Sequence, residues 1–148
     1  MSIKERQSEI ETNAHAERVW EVLTDFASYP RWNPFICRAS GVPRTGEHLE
    51  VRIEPPGSRG MTFRPKVLNA EANHELRLLG GLFARGLFDG AHSFTIEPLG
   101  EARVRFVQRE VFRGLLVPLF SGGLDRDTRR GFEEMNRALK ERAEAGVT

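Results

Sequence analysis

The chain has 148 residues, with 22 Lys+Arg against 21 Asp+Glu and a formal charge of +1. That length predicts one domain over residues 1–148, able to bury about 70% of the surface its unfolded form exposes without help from a metal or disulfide. The composition, 39% hydrophobic and 29% charged, excludes a disordered chain, and the balanced charge argues against a dedicated binder of nucleic acid or anionic membranes.

In chain order, Ile3–Thr12 reads as a strand with Ser8, Ile10 and Thr12 on one face. Asn13 is placed to cap a helix in which Ala16, Val19, Trp20 and Leu23 recur at helical spacing. The helix stops near Asp25, and Trp20 is expected in the core. Pro30 and Pro34 then bracket Trp32, which permits at most a short helical turn. Strands follow over Phe35–Ser40, His48–Glu54, Met61–Val67 and His74–Leu79, each with period-two alternation. The glycine-rich stretch Gly80–Gly90 predicts an irregular connection. Ala91–Pro98 and Glu101–Phe112 form a hairpin, and a helix closes the chain with Thr128, Gly131, Phe132, Met135, Leu139 and Ala143 on one stripe. The result is an α+β fold of seven antiparallel strands, with a helix and a short helical turn between strands 1 and 2.

Much common chemistry has no support. Cys37 is the sole cysteine, so no intramolecular disulfide forms; it reads as a small hydrophobe in a reducing, cytoplasmic setting. Met1–Glu11 is charged throughout and has no signal-peptide pattern. The strongest apolar run, Leu115–Phe120, is interrupted by Pro118 and falls short of the roughly 18 residues of a membrane span. Phosphate-loop, dinucleotide, zinc-protease and serine-hydrolase motifs are absent. His15, His48 and His74 fall on turns or outward positions, so neither a metal nor a cofactor is expected.

The run Val19-Trp20, Leu23-Thr24-Asp25-Phe26 and Tyr29-Pro30-Arg31-Trp32-Asn33-Pro34-Phe35 resembles the opening of the START/Bet v 1-like (SRPBCC) superfamily, in its polyketide cyclase/dehydratase-type bacterial branch. The later strands and final helix follow in the family's order. The resemblance implies a helix-grip fold, in which a curved sheet wraps the C-terminal helix around a cavity. It also implies an apolar ligand such as a lipid, polyketide or aromatic compound.

The inner face of the hairpin then becomes the place to look. A turn centred near Gly100 sets Ile96 opposite Val104, Phe94 opposite Phe106 and His92 opposite Gln108, with Arg103, Arg105 and Arg109 on the wet face. His92, Gln108 and Glu110 make the polar part of the expected cavity. In this register His92 and Glu110 are diagonal neighbours about 7–8 Å apart, the candidate acid–base pair or ligand anchor. The alternative is a hydrogen-bonded pair at the sheet rim with water and Arg113. Trp32 and Phe35 follow the first helix, Phe63, Leu78, Phe94, Phe106 and Phe112 project from strands, and Phe132 and Met135 from the last helix; each is a candidate wall or core residue. Phe83, Leu87 and Phe88, with Leu115, Leu116, Leu119 and Phe120, form a candidate apolar portal. Ten Phe and two Trp against one Tyr suit such a hydroxyl-free lining.

The function expected first is binding of a small hydrophobic molecule, as carrier or sensor, by a monomer or homodimer. A cyclase, dehydratase or hydrolase using His92 or Glu110 is the second reading. A chaperone-activator-like protein meeting its partner through the outer arginines is the third.

Overall fold

The computed structural model describes residues 2–54, 60–82, 88–114 and 123–145. Its long strands are β1 (Ser2–Thr12), β6 (Glu75–Leu82), β7 (Phe88–Gly100) and β8 (Arg103–Gly114), joined by β5 (Lys66–Glu71) in the antiparallel order β1-β8-β7-β6-β5. β2 (Ile36–Ser40), β3 (Glu50–Ile53) and β4 (Met61–Phe63) form a second sheet, which continues the first where Leu49 N–H donates to Pro65 O at 2.9 Å and His48 bridges to Lys66. Helices α1 (Ala16–Thr24) and α2 (Tyr29–Trp32) lie between β1 and β2, and α3 (Gly123–Ala145) closes the chain. This is the curved antiparallel sheet and C-terminal helix of a helix-grip fold.

Four local expectations change. The strand expected over 61–67 is broken into β4 and β5, giving eight strands among the described residues, because buried Pro65 has no N–H for the ladder and the chain turns there. The glycine-rich stretch is largely regular: Gly80 pairs with Gly90, Gly81 with Asp89 and Leu82 with Phe88, and its remainder, 83–87, lies outside the described residues. A register shift between Ile36 and Arg38 lets Phe35 and Ile36 both point inward, which breaks the expected alternation. Asn13 does not cap α1; His15 occupies that position, and the Asn13 N–H instead donates to Glu144 Oε2 at 2.8 Å.

Asn33 turns the chain into β2. Its Oδ1 accepts from Phe35 N–H at 3.0 Å and Ile36 N–H at 2.9 Å, as Asn does where the backbone must turn. The predicted stripe of α3 is buried throughout, and Phe132, Met135, Leu139 and Ala143 pack with Leu76, Phe94, Ile96, Val104 and Phe106 of the sheet. Burying each large side chain contributes about 1.5–3 kcal/mol. At the C-terminal end of α3, the Arg18 guanidinium donates to the carbonyls of Arg142 (3.2 Å) and Ala143 (3.5 Å), satisfying acceptors the helix leaves open. Trp20 is partly buried and packs against this core.

Candidate functional site

The β7–β8 hairpin turns through Glu101 and Ala102, with Gly100 paired to Arg103 and an irregularity at Leu99. From Pro98–Val104 outward, every pair is therefore displaced by two residues from the expected register. Ile96 faces Phe106, Phe94 faces Gln108 and His92 faces Glu110 directly, not diagonally. A two-residue displacement keeps each side chain on its expected face, so the inward set survives while its partners change.

The consequence is a polar chain across an apolar interior. His92 Nδ1 lies 3.0 Å from Glu110 Oε2, and His92 Nε2 lies 3.0 Å from Gln108 Oε1. Gln108 Nε2 donates to Asn136 Oδ1 at 2.7 Å and, more weakly, to the Phe132 carbonyl at 3.4 Å. Asn136 Nδ2 donates to Ser8 Oγ at 3.1 Å. The chain thus joins β7, β8, α3 and β1. Aromatic rings pack around it: the His92 ring is 4.4 Å from Phe94 and 4.9 Å from Phe132, edge to face with the latter.

A carbonyl only accepts, so the Phe132 contact directs the amide nitrogen of Gln108 toward α3 and its oxygen toward His92. His92 Nε2 therefore carries a proton. The other ring nitrogen, Nδ1, faces Glu110 Oε2. Glu110 Oε2 is buried and, although His92 Nδ1 is 3.0 Å away, no donor meets it in hydrogen-bond geometry. Gly90, opposite Phe112, makes room beside this carboxyl: a methyl there would stand 3.0 Å from Glu110 Oε1.

Asn136 and Ser8 were not singled out in the sequence. The signal was present, since Asn136 follows Phe132 by four residues on the buried stripe, and Ser8 shares a strand face with Ile10.

The expected lining residues divide into two groups. Phe106, Gln108 and Met135 have no accessible surface, and Phe35, Phe94 and Phe132 almost none, so these are packed on all sides. Phe35 meets Phe132 edge to face at 5.7 Å and lies on Gly131, where a methyl would overlap its ring. Leu78 is buried beside His92 on the neighbouring strand. Partly open are Trp32, Phe63, Phe112, His92 and Glu110, the last two with side chains 14% and 16% exposed. Phe88 is placed only as the first residue of β7, paired with Leu82. Phe83, Leu87, Leu115, Leu116, Leu119 and Phe120, most of the expected portal, lie outside the described residues.

Elsewhere the reactive groups are quiet. Burial, and then the neighbouring Glu54, push the Cys37 thiol up, and its Sγ donates to the Arg52 carbonyl at 3.5 Å. Burial also raises Tyr29, whose hydroxyl donates to the Leu23 carbonyl. Trp32 Nε1 is buried without an acceptor. The outer arginines are paired across strands: Arg103 with Glu11 (2.7 Å), Arg105 with Glu9 (3.3 Å) and Glu97 (3.5 Å), and Arg109 with Glu5 (2.6 Å). Among the described residues no three His, Cys, Asp or Glu cluster to hold a metal, and no helix is long and apolar enough to cross a membrane.

Solved structures share this fold. A START superfamily protein from Mycobacterium smegmatis is 21% identical, with a TM-score of 0.73 over 95% of this chain and 97% of its own. The Zhui aromatase/cyclase from a Streptomyces species is 15% identical, with a TM-score of 0.73 over 99% of this chain and 97% of its own. Norcoclaurine synthase from Thalictrum flavum, in complex with dopamine and hydroxybenzaldehyde, is 14% identical, with a TM-score of 0.69 over 99% and 90%. No curated protein matches the chain. Residues 5–144 match a family model, and the chain belongs to the family described as polyketide cyclase / dehydrase and lipid transport.

Proposed function

We propose that this protein binds a small to medium hydrophobic molecule between the sheet and α3, toward the Phe112 end, as a carrier or sensor. The observation that carries this reading is the change of polarity along one inner face. A sealed apolar region ends at His92 and Glu110, which face α3 and keep part of their surface open. Such a site surrounds a ligand with hydrocarbon and orients it by a few polar atoms. The family description, which includes lipid transport, supports it.

One observation favours a second reading, cyclase- or dehydratase-like catalysis. His92 and Glu110 stand 3.0 Å apart, an imidazole and a carboxyl of the kinds that general acid–base work uses most often. The likeness to the Zhui aromatase/cyclase supports this reading as well. The partner-binding reading loses its motive, because the outer arginines are already paired with glutamates of β1 and β7.

Native mass spectrometry of gently purified protein, followed by thermal shifts with a panel of lipids and aromatic polyketides, tests the proposal. A co-purifying small molecule or a stabilising ligand is expected. Repeated apo protein with no stabilisation would overturn it. Turnover lost in both Glu110→Gln and His92→Gln, with ligand still bound, would move the assignment to the enzyme.

A further inference from the structure

We infer that Glu110 selects the head group of the ligand, favouring an uncharged hydroxyl over a carboxylate on an otherwise similar apolar body. This inference rests on the ligand-binding reading above and adds to it a chemical class.

It follows from a count of donors and acceptors in the pair that a ligand would meet. His92 commits Nε2 to Gln108 Oε1 and turns Nδ1 toward Glu110. Gln108 has no accessible surface, and Asn136 is 2% exposed, so neither amide is open to a ligand. What remains open is the Glu110 carboxyl, with acceptor oxygens, one of them buried and lacking an aligned donor. Carboxyl torsions are broad, so a modest rotation brings either oxygen to an incoming group. An unmet acceptor in a low-dielectric site is costly, and a ligand O–H removes that cost.

Charge sharpens the choice. A neutral ligand adds no charge beside the Glu110 carboxyl. A ligand carboxylate brings a second negative charge to Glu110 and finds no uncommitted donor on His92. Trp32 Nε1 is a buried donor without an acceptor, but it stands on α2, outside this chain, and one uncharged N–H does not offset two carboxylates. Gly90 belongs to the same device, since the missing side chain leaves the Glu110 carboxyl its space.

Displacement of a fluorescent apolar probe by decanol, para-nonylphenol and decanoate at neutral pH tests the inference on the intact chain. The two hydroxyl compounds should bind roughly ten- to hundred-fold more tightly than decanoate, the range expected for a hydrogen bond to a charged group. Glu110→Gln, which supplies an amide donor and removes the charge, should bring the three within about threefold of one another. Should Glu110→Gln not fold, Gly90→Ala crowds the same carboxyl and should weaken the two hydroxyl compounds selectively. Decanoate binding as tightly as decanol would overturn the head-group inference and leave the pocket standing. Failure of all three to displace the probe would overturn the pocket and this inference together.

Discussion

Along the inner face of β8, Val104, Phe106 and Gln108 are sealed, whereas Glu110 and Phe112 keep part of their surface open. The same division runs through β7, where Phe94 and Ile96 are buried and Gly90 and His92 are not. The sealed half lies under the C-terminal part of α3, whose stripe from Met135 to Ala143 is aliphatic and is held down by Arg18 and the Lys140–Glu144 pair. At the boundary stands the polar chain from Ser8 to Glu110. One end of the sheet therefore behaves as ordinary protein core. The other carries polar and aromatic side chains, His92, Glu110 and Phe112, that keep part of their surface open.

The comparison breaks most visibly if the two halves respond alike to truncation. Phe106→Ala removes a ring packed on every side and should cost roughly 3–5 kcal/mol in urea unfolding. Phe112→Ala, in the open half, should cost less than about 1.5 kcal/mol. Equal losses would mean that both halves are core. The next effect concerns how closely α3 approaches β2. Gly131→Ala forces the buried Phe35 ring to move and should cost about 1–3 kcal/mol. Adding Phe35→Leu should recover part of that loss, and a purely additive double mutant would show that the contact does not limit packing. The boundary itself is tested by Asn136→Ala, which strips Gln108 Nε2 of its main acceptor. Loss of about 1–3 kcal/mol is expected, and stability unchanged within error would show that the polar chain does not hold α3 on the sheet.

How much of this was legible in the sequence follows the same boundary. The sealed half could be read because apolar periodicity on β8 and α3 records burial directly, so Phe94, Phe106, Phe132 and Met135 were all marked as inward. The inward polarity of His92, Gln108 and Glu110 was legible for the same reason. Their partners were not, since a two-residue change in register leaves every face intact while exchanging every neighbour, and only the turn at Glu101-Ala102 decides it. Asn136 was passed over because a single polar residue on an apolar stripe reads as an interruption until Gln108 is seen opposite it. Pro65 was visible, but whether a proline ends a strand or bends it depends on the sheet it meets.

The smallest expected effect anchors the sealed end. Glu144 accepts from Lys140 at 2.5 Å and from the Asn13 backbone at 2.8 Å, tying the last turn of α3 to the end of β1. The Lys140 ammonium, and then the Asn13 N–H, hold its carboxyl below the usual value of 4.5, outweighing partial desolvation. A carboxyl lowered in the folded state binds fewer protons there than in the unfolded chain, so its contribution is complete above 4.5 and fades as pH falls through the lowered folded value. The pair is about one-third exposed, which limits the contribution to about 0.5–1 kcal/mol. Glu144→Gln should therefore unfold earlier in urea than the parent at pH 7, and the gap should close as both are titrated to pH 3. Because the tether lies at the far end of α3 from Glu110, the substitution should leave ligand affinity unchanged. A parallel loss of affinity would show that the two halves are mechanically coupled through the helix.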